Sequence, residues 1–471
     1  MKKNLAQNIS ANALQLVVNQ VLGLGIFYIL STSINKNDFG QINLALAILL
    51  SAFNILSLGI DQLVIKKIAS GDSVQHTLSL YIFHVLLAGA VFYGLLLSGR
   101  TFLPHQTDIY NIVLLIGIGK LMMFFSSPFK QAASGLERFK LLAYMSVISN
   151  LVRCLSLMVF ALLHIINLHN IIIVFIVGDV IELLVCIYLF KTATKEKLIV
   201  KWDKANYVKL ILESLPQSGV VVITSALARF DWIFIGFTLS AIKLAEYSFA
   251  YKIFEIATLP MLVIAPLLIP RFTKLFKQES PHNDHLKLVI RMEIIIAVST
   301  ALVLNVCWAP LVDFITAGKY GAVNVSTIFL LSLCMPLLYV NNFLWTIYFA
   351  KSQLKMILNS FIITLLVNVA GDIILIPIYK NEGAAFAFLL ACLAQTIFYL
   401  KKNTITELNA IWQYLLICTS CALFSGFATR YFIANTFIAL PFAVLLYCVL
   451  LLITTQLKLA DKKRIQMLFN W

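Results

Sequence analysis

Apolar runs long enough to cross a bilayer recur along the whole chain, separated by short segments rich in Gly, Pro and charged residues. About 20 apolar residues suffice for an α-helix to span the hydrocarbon core. Because 61% of the 471 residues are hydrophobic and only 12% are charged, a soluble fold is excluded. The sequence predicts an all-α integral membrane protein with about 14 transmembrane helices. The predicted spans are 10–33, 40–64, 78–98, 109–129, 141–163, 168–190, 215–239, 246–270, 288–309, 323–349, 357–379, 382–400, 411–429 and 434–456.

The positions of Lys and Arg predict the orientation. With the N-terminus inside, 26 of the 36 basic residues fall in cytoplasmic segments, 6 fall on the opposite side, and 4 lie within spans. This bias agrees with the positive-inside rule, so both termini are predicted to be cytoplasmic. The net charge of +15 therefore reflects topology, and no nucleic-acid partner is expected.

The longest cytoplasmic connection predicts a division into two lobes. It mixes six lysines with apolar residues, as an amphipathic helix on the inner leaflet would. Asp38–Ala45 and Lys243–Ala250 also echo each other faintly after the first and seventh spans. We predict two pseudo-symmetric six-helix lobes, a plan common among transporters that work by alternating access. The predicted parts are an N-terminal lobe 1–190, an amphipathic linker 191–214, a C-terminal lobe 215–402, and two further spans with a basic tail in 403–471.

Arg229 and Asp231 place two charges inside the seventh apolar run. At about 100° per residue, positions two apart point to nearly opposite sides of a helix, so these side chains cannot pair with each other. A charge at the bilayer centre costs about 2.5 kcal/mol or more, so it usually faces a bundle interior, a wet cavity or a ligand. If the intramembrane cations converge, they form an anion-binding cavity suited to phosphate. These predicted cavity cations are Arg229, Arg153, Lys120 and Lys252.

The intramembrane acids are candidates for ion coupling. Asp179 and Glu182 share a helix face with like charge, so one of them is a candidate protonation site unless a cation such as Arg153 intervenes. Lys252 and Glu255 are three residues apart and can satisfy each other. The alternative for all of these charges is a set of fixed interhelical salt bridges that specify packing. The coupling candidates are Asp231, Asp179, Glu182, Glu255 and Asp372.

The first span of each predicted lobe carries uncharged polar residues. Asn12, Gln15 and Asn19 recur at intervals of three or four, which predicts one polar stripe on an otherwise apolar helix. Gln217 and Ser218 lie near the start of the seventh span. These residues either line a wet passage for a hydroxyl-rich substrate or hydrogen-bond to neighbouring helices.

The sequence offers no support for an enzyme. All predicted external loops are short, and there is no phosphate-binding Gly-Lys loop, nucleophile elbow or paired external carboxylates. The eight cysteines lie in apolar runs and are expected to be small buried hydrophobes. We predict no cofactor and no metal site.

Several motifs, in this order, resemble the pattern of polysaccharide and O-antigen flippases of the multidrug/oligosaccharidyl-lipid/polysaccharide exporter superfamily. The late part of the pattern is Asn341-Asn-Phe-Leu-Trp345, then Leu366–Tyr379 with its Leu375-Ile-Pro377, then Gly383-Ala-Ala. Two departures are Asp372, where such proteins more often have Asn, and Ala245, where Gly is usual. Supporting matches are Asp38-Phe-Gly40, Gly135-Leu-Glu-Arg-Phe139 and Arg229-Phe-Asp231.

The resemblance implies a transporter of the bacterial cytoplasmic (inner) membrane. It would flip an undecaprenyl-pyrophosphate-linked oligosaccharide, an O-antigen or capsule repeat unit of lipopolysaccharide or polysaccharide biosynthesis, by ion-coupled alternating access. Membrane lipids, a polysaccharide polymerase and chain-length machinery are the implied partners. One alternative is a cation-coupled exporter of small organic cations, although four intramembrane cations argue against it. A membrane glycosyltransferase or polymerase is the other, and it needs a long external loop that this topology lacks.

Overall fold

The computed structural model describes residues 2–99, 107–194, 203–276, 284–403, 405–433 and 435–458, and within these ranges the protein is helical without a β-strand. Short 3-10 helices at Ala322–Asn324 and Thr406–Ala410 precede two of the α-helices. The α-helices are α1 (Lys2–Ser33), α2 (Lys36–Leu56), α3 (Ile60–Ala69), α4 (Val74–Ser98), α5 (Thr107–Gly135), α6 (Phe139–Leu162), α7 (Leu168–Thr194), α8 (Lys204–Thr238), α9 (Ala241–Ala257), α10 (Leu259–Leu275), α11 (Asp284–Thr316), α12 (Val325–Ala350), α13 (Leu354–Lys401), α14 (Ile411–Phe432) and α15 (Thr436–Ile453).

Eleven of these helices are long and apolar enough to cross a membrane. Many of their apolar side chains point outward, and Phe437 and Phe314 are 92% and 86% exposed. Such a surface is stable only in contact with lipid. The predicted fold class, an all-α membrane protein, is confirmed, and each of the 14 predicted spans corresponds to a helical segment.

Two predicted spans are broken helices. The second span divides into α2 and α3, because Leu58 and Gly59 adopt left-handed backbone angles with φ of 49° and 68°. The eighth divides into α9 and α10 at Thr258, so that Pro260 falls in the first turn of α10, where a missing N–H costs least. The break therefore precedes both Pro260 and Pro266 of that span.

Helix α13 contains two of the predicted spans and reverses direction within its length. Lys380 has non-helical angles of φ 54° and ψ −128°. Ser360 Oγ donates a hydrogen bond to Tyr399 Oη at 2.6 Å. In a straight helix, these two residues would lie roughly 58 Å apart. The two halves therefore form a tight antiparallel hairpin. A Cβ at Gly383 would collide with the carbonyl oxygen of Leu375, which explains the small residues that open the second half.

The chain forms two compact units, Met1–Ala245 and Glu246–Trp471. Helix α8 belongs to the first unit and packs against α2 and α3.

Asp203 caps the start of α8, and the hydrogen bonds from Asn206 to the Asp203 carboxylate lower the pKa of that carboxyl group. Residues 204–214 of the predicted linker are thus the first turns of α8, while 195–202 lie outside the described ranges. The two six-span lobes and their repeat stay a prediction.

Candidate functional site

Asp179 of α7 is the centre of a buried ion cluster in the first unit, and its side chain is fully inaccessible to solvent. Lys120 Nζ of α5 lies 3.0 Å from Asp179 Oδ2. Arg153 of α6 forms an ion pair with Oδ1, to which Ser149 Oγ also donates at 3.4 Å. One carboxylate therefore joins α5, α6 and α7. Two of the predicted cavity cations are brought together here, and both are held by a carboxylate.

Two glycines make room for this cluster. A Cβ at Gly119 would lie 2.9 Å from Asp179 Oδ2 and 3.1 Å from Ile176 Cα. A Cβ at Gly178 would lie 2.9 Å from Arg153 Cγ. Any larger residue would displace the charged side chains or the helices that carry them.

A second ion pair lies within one turn of the first. Lys130 Nζ contacts Glu182 Oε1 at 2.6 Å, and Ser126 Oγ donates to the same oxygen at 2.9 Å. The like charges of Asp179 and Glu182 are thus each compensated by cations, the condition under which neither acid need be protonated. Lys130 directly follows the predicted span 109–129, and the sequence does not reveal this role because its partner lies on α7 of the folded bundle. Three cations meet two carboxylates, which leaves one excess positive charge.

The polar stripe of α1 continues this network. Arg153 Nη1 donates to Asn150 Oδ1 at 3.3 Å, and Asn150 Nδ2 donates to Asn19 Oδ1 at 3.1 Å. Asn19 therefore bonds to a neighbouring helix, one of the two alternatives left open for the stripe. Gln15 Oε1 is buried and has no hydrogen-bond partner among the described side chains. The side chain of Asn12 lies outside the part of the chain that is described.

Arg229 of α8 differs from the other predicted cations. It is half-buried, its guanidinium lies 4.4 Å from the ring centroid of Trp232, and Nη1 donates to the carbonyl of Ala228 at 3.3 Å. Within the described ranges, no carboxylate lies within the salt-bridge distance of 4.0 Å from Arg229. Asp231 is buried and accepts a hydrogen bond from the backbone N–H of Trp232 at 2.8 Å. The two charges do not pair with each other.

The other predicted site residues also have partners, some in the same helix and some in a neighbouring one. Lys252 Nζ lies 2.7 Å from Glu255 Oε2. Asp372 accepts a hydrogen bond from Asn368 Nδ2 at 2.7 Å. Ser218 Oγ donates to the carbonyl of Leu58 at 2.6 Å, at the break between α2 and α3.

Gln217 packs beside Ser218 on the same break, since a Cβ at Gly59 would lie 2.8 Å from Gln217 Cβ. The polar start of the seventh span thus contacts a neighbouring helix break.

A cavity of about 310 Å³, lined by both polar and apolar side chains, lies in the first unit between α2, α3, α5 and α6. None of the predicted site residues lines it. Asp61, which also contacts Tyr81 Oη, and Lys130 are its charged lining residues. Hydroxyl and amide groups complete the polar lining, from Asn54, Ser57, Ser127, Gln131 and Ser146. Nowhere among the described side chains do three His, Cys, Asp or Glu residues come together as metal ligands would.

Comparisons with known proteins agree on the fold. Residues 5–276 match the family model described as "Polysaccharide biosynthesis protein". No curated protein matches the sequence. The structure is similar to that of the lipid II flippase MurJ in an inward closed conformation, with a TM-score of 0.72 and 15% identity over 93% of this chain and 97% of that one.

Two other solved transporters are also similar. An inward-facing multidrug resistance MATE family transporter of the MOP superfamily has a TM-score of 0.64 and 11% identity, covering 86% of this chain and 98% of that one. A MOP superfamily transporter from Pyrococcus furiosus has a TM-score of 0.58 and 13% identity, covering 88% and 96%. At such identities, these likenesses establish the fold that the three proteins share with this chain.

Proposed function

The chain belongs to the polysaccharide biosynthesis protein family, and on that premise we propose that it flips a lipid-linked oligosaccharide across the bacterial cytoplasmic membrane. The fold is that of MOP superfamily transporters, in a multi-pass membrane protein. The substrate we propose is an undecaprenyl-pyrophosphate-linked repeat unit of an O-antigen or capsule, moved by ion-coupled alternating access between two lobes. A polymerase and chain-length machinery would take up the flipped unit.

The observation that carries the proposal is the position of Arg229. A half-buried guanidinium that has no carboxylate partner within the described ranges is free to bind an anion, and its planar donors match a phosphate in two parallel hydrogen bonds. Trp232 holds the guanidinium plane by a cation–π contact. We therefore assign the pyrophosphate to Arg229.

The other three predicted cations have a different place in the proposal. Lys120 and Arg153 both pair with Asp179, and Lys252 pairs with Glu255. Because each already has a carboxylate, none of these three cations is free for a phosphate in this conformation. Lys120 and Arg153 join α5 and α6 to α7, whereas the Lys252–Glu255 pair lies within α9. Their excess positive charge still favours an anionic substrate nearby, since attraction is stronger in a low dielectric.

Replacing Arg229 tests the proposal. In a strain that lacks its own flippase, Arg229→Ala should reduce surface polysaccharide about tenfold or more, because a charged hydrogen bond contributes about 1.5–3 kcal/mol. Arg229→Lys should retain part of the activity, since it keeps the charge but loses the planar geometry. Lys402→Ala, an exposed cation at the end of α13, is the matched control and should behave as the wild type.

Membrane abundance of each variant must be equal before the surface polysaccharide is compared. Wild-type surface polysaccharide in Arg229→Ala would rule out this phosphate site. Resistance to small organic cations in an expressing strain, with no effect on polysaccharide, would favour the multidrug exporter instead.

A further inference from the structure

Glu293 of α11 is a buried acid outside the set of predicted coupling residues. Its side chain lies within the second unit and the residue is only 3% exposed. Oε1 of this carboxyl group has no hydrogen-bond partner in the described part of the chain. No Lys, Arg or His of the described residues lies within 4.0 Å of this carboxyl group.

The groups around Glu293 do not supply a compensating charge. Helix α11 packs against α12, α14 and α15. From α12, Tyr339 lies within electrostatic range of Glu293 and is fully buried. Arg291 lies two residues before Glu293 and so points to nearly the opposite side of α11. Cys418 of α14 lies within electrostatic range of Arg291, on that opposite side.

An ionised carboxylate in such a place would be unstable. Burying an unpaired charge costs so much that the group takes up a proton and becomes neutral instead. The predicted coupling acids Asp179, Glu182 and Glu255 differ, because each has a cation beside it. Glu293 is therefore neutral in this conformation.

We propose that Glu293 is a proton-binding site of the second unit, and that release of its proton accompanies a rearrangement of α11 against α12. The carboxylate can form only when water or a cation reaches it, which requires these two helices to move apart. Pro336 lies one turn before Tyr339 and removes a backbone hydrogen bond from α12, so this helix can bend next to the site. The proton would then be the coupling ion of transport, a second step that rests on the proposed flippase function.

Infrared spectroscopy of the purified protein tests the first step without any substrate. A protonated carboxyl group gives a C=O stretching band that a carboxylate lacks, and we expect Glu293 to contribute such a band at neutral pH. Glu293→Gln should remove it and should fold, because Gln mimics the neutral acid in size and charge. Glu255→Gln is the matched control and should leave the band unchanged. A band of equal intensity in wild type and Glu293→Gln would overturn the proton site.

Flipping in proteoliposomes tests the second step. With a labelled undecaprenyl-pyrophosphate-linked oligosaccharide, a pH gradient should accelerate the wild type and Glu293→Asp, but not Glu293→Gln. Equal acceleration of Glu293→Gln would overturn the coupling role. If the wild type itself fails to flip this lipid, the flippase function and the coupling step fail together, whereas the infrared result still decides the proton site.

Discussion

Arg153 of α6 pairs with the Oδ1 atom of Asp179 on α7, whereas Lys120 Nζ lies nearer to the other carboxylate oxygen, 3.0 Å from Oδ2 and 3.5 Å from Oδ1. Both cations were predicted to bind a phosphate, yet in this conformation both form ion pairs with Asp179. The cluster thus connects three helices through one residue. Its energetics can be tested apart from transport.

Removal of the central acid should destabilise the protein more than removal of either cation. Asp179→Asn leaves two buried positive charges without a counterion, which should lower the free energy of unfolding by about 3–5 kcal/mol. Lys120→Met should have a smaller effect, because the Arg153–Asp179 pair that remains is neutral as a whole. Thermal unfolding in detergent measures both.

The control for this series is Lys67→Met, which breaks a partly exposed pair with Glu213 at 2.7 Å. That change should cost less than about 1 kcal/mol. If Asp179→Asn unfolded like the wild type but no longer supported polysaccharide export, the cluster would act on the substrate and not on packing.

Gly119→Ala should destabilise the protein by about 1–3 kcal/mol through overpacking. The new methyl group would press on Asp179 Oδ2 and on the backbone of Ile176, and the latter cannot rotate away. Gly94→Ala is the matched control in α4, because a Cβ there has no neighbour within 4 Å. It should leave stability unchanged or raise it by up to about 1 kcal/mol. Equal midpoints of thermal unfolding for the two variants would refute the tight fit around Asp179.

Ser218→Ala should cost about 1–3 kcal/mol, since it leaves the carbonyl of Leu58 without its side-chain donor at the helix break. Ser218→Thr retains the hydroxyl and should be milder. Thr224→Ala, whose hydroxyl bonds within α8 at an exposed position, is the control and should change stability by less than about 0.5 kcal/mol. The same detergent unfolding assay ranks the three variants, and a loss in Thr224→Ala equal to that in Ser218→Ala would contradict the bond to Leu58.

Gly383→Ala should weaken the α13 hairpin, again by about 1–3 kcal/mol, because its methyl group would meet the carbonyl oxygen of Leu375. Proteolysis of the purified protein under partly denaturing conditions should then cut near Lys380 earlier than in the wild type. Gly219→Ala, with open space around the added methyl, is the control. Unchanged cleavage in Gly383→Ala would mean that the two halves are not in close contact.

The sequence was sufficient for features that depend on local periodicity. The fold class follows from the apolar runs, and the spacing of Lys252 and Glu255 permits the ion pair that they form. The sequence could not show which helices pack against each other. That Lys130 reaches Glu182, or that Asn19 bonds to Asn150, depends on contacts between segments separated by dozens of residues.

Other features could not be predicted because the sequence patterns around them are ambiguous. Glu293 lies in the predicted span 288–309 but close to Lys287 and Arg291, so its position in the sequence does not distinguish a buried acid from one at a charged helix end. Pro260 and Pro266 predict a bend in the eighth span, but the break at Thr258 also depends on the helices that surround it. The contact of Arg229 with Trp232 was foreseeable from their spacing of three, whereas the absence of a carboxylate near Arg229 among the described residues was not.

The hairpin in α13 also bears on how the protein is made. Because the chain reverses at Lys380 without an intervening loop, each half of the hairpin packs directly on the other. We expect the first half to reach its final packing only after the second half has been synthesised. A stop codon or a fusion tag placed at the turn would leave the first half without the partner on which its small residues close.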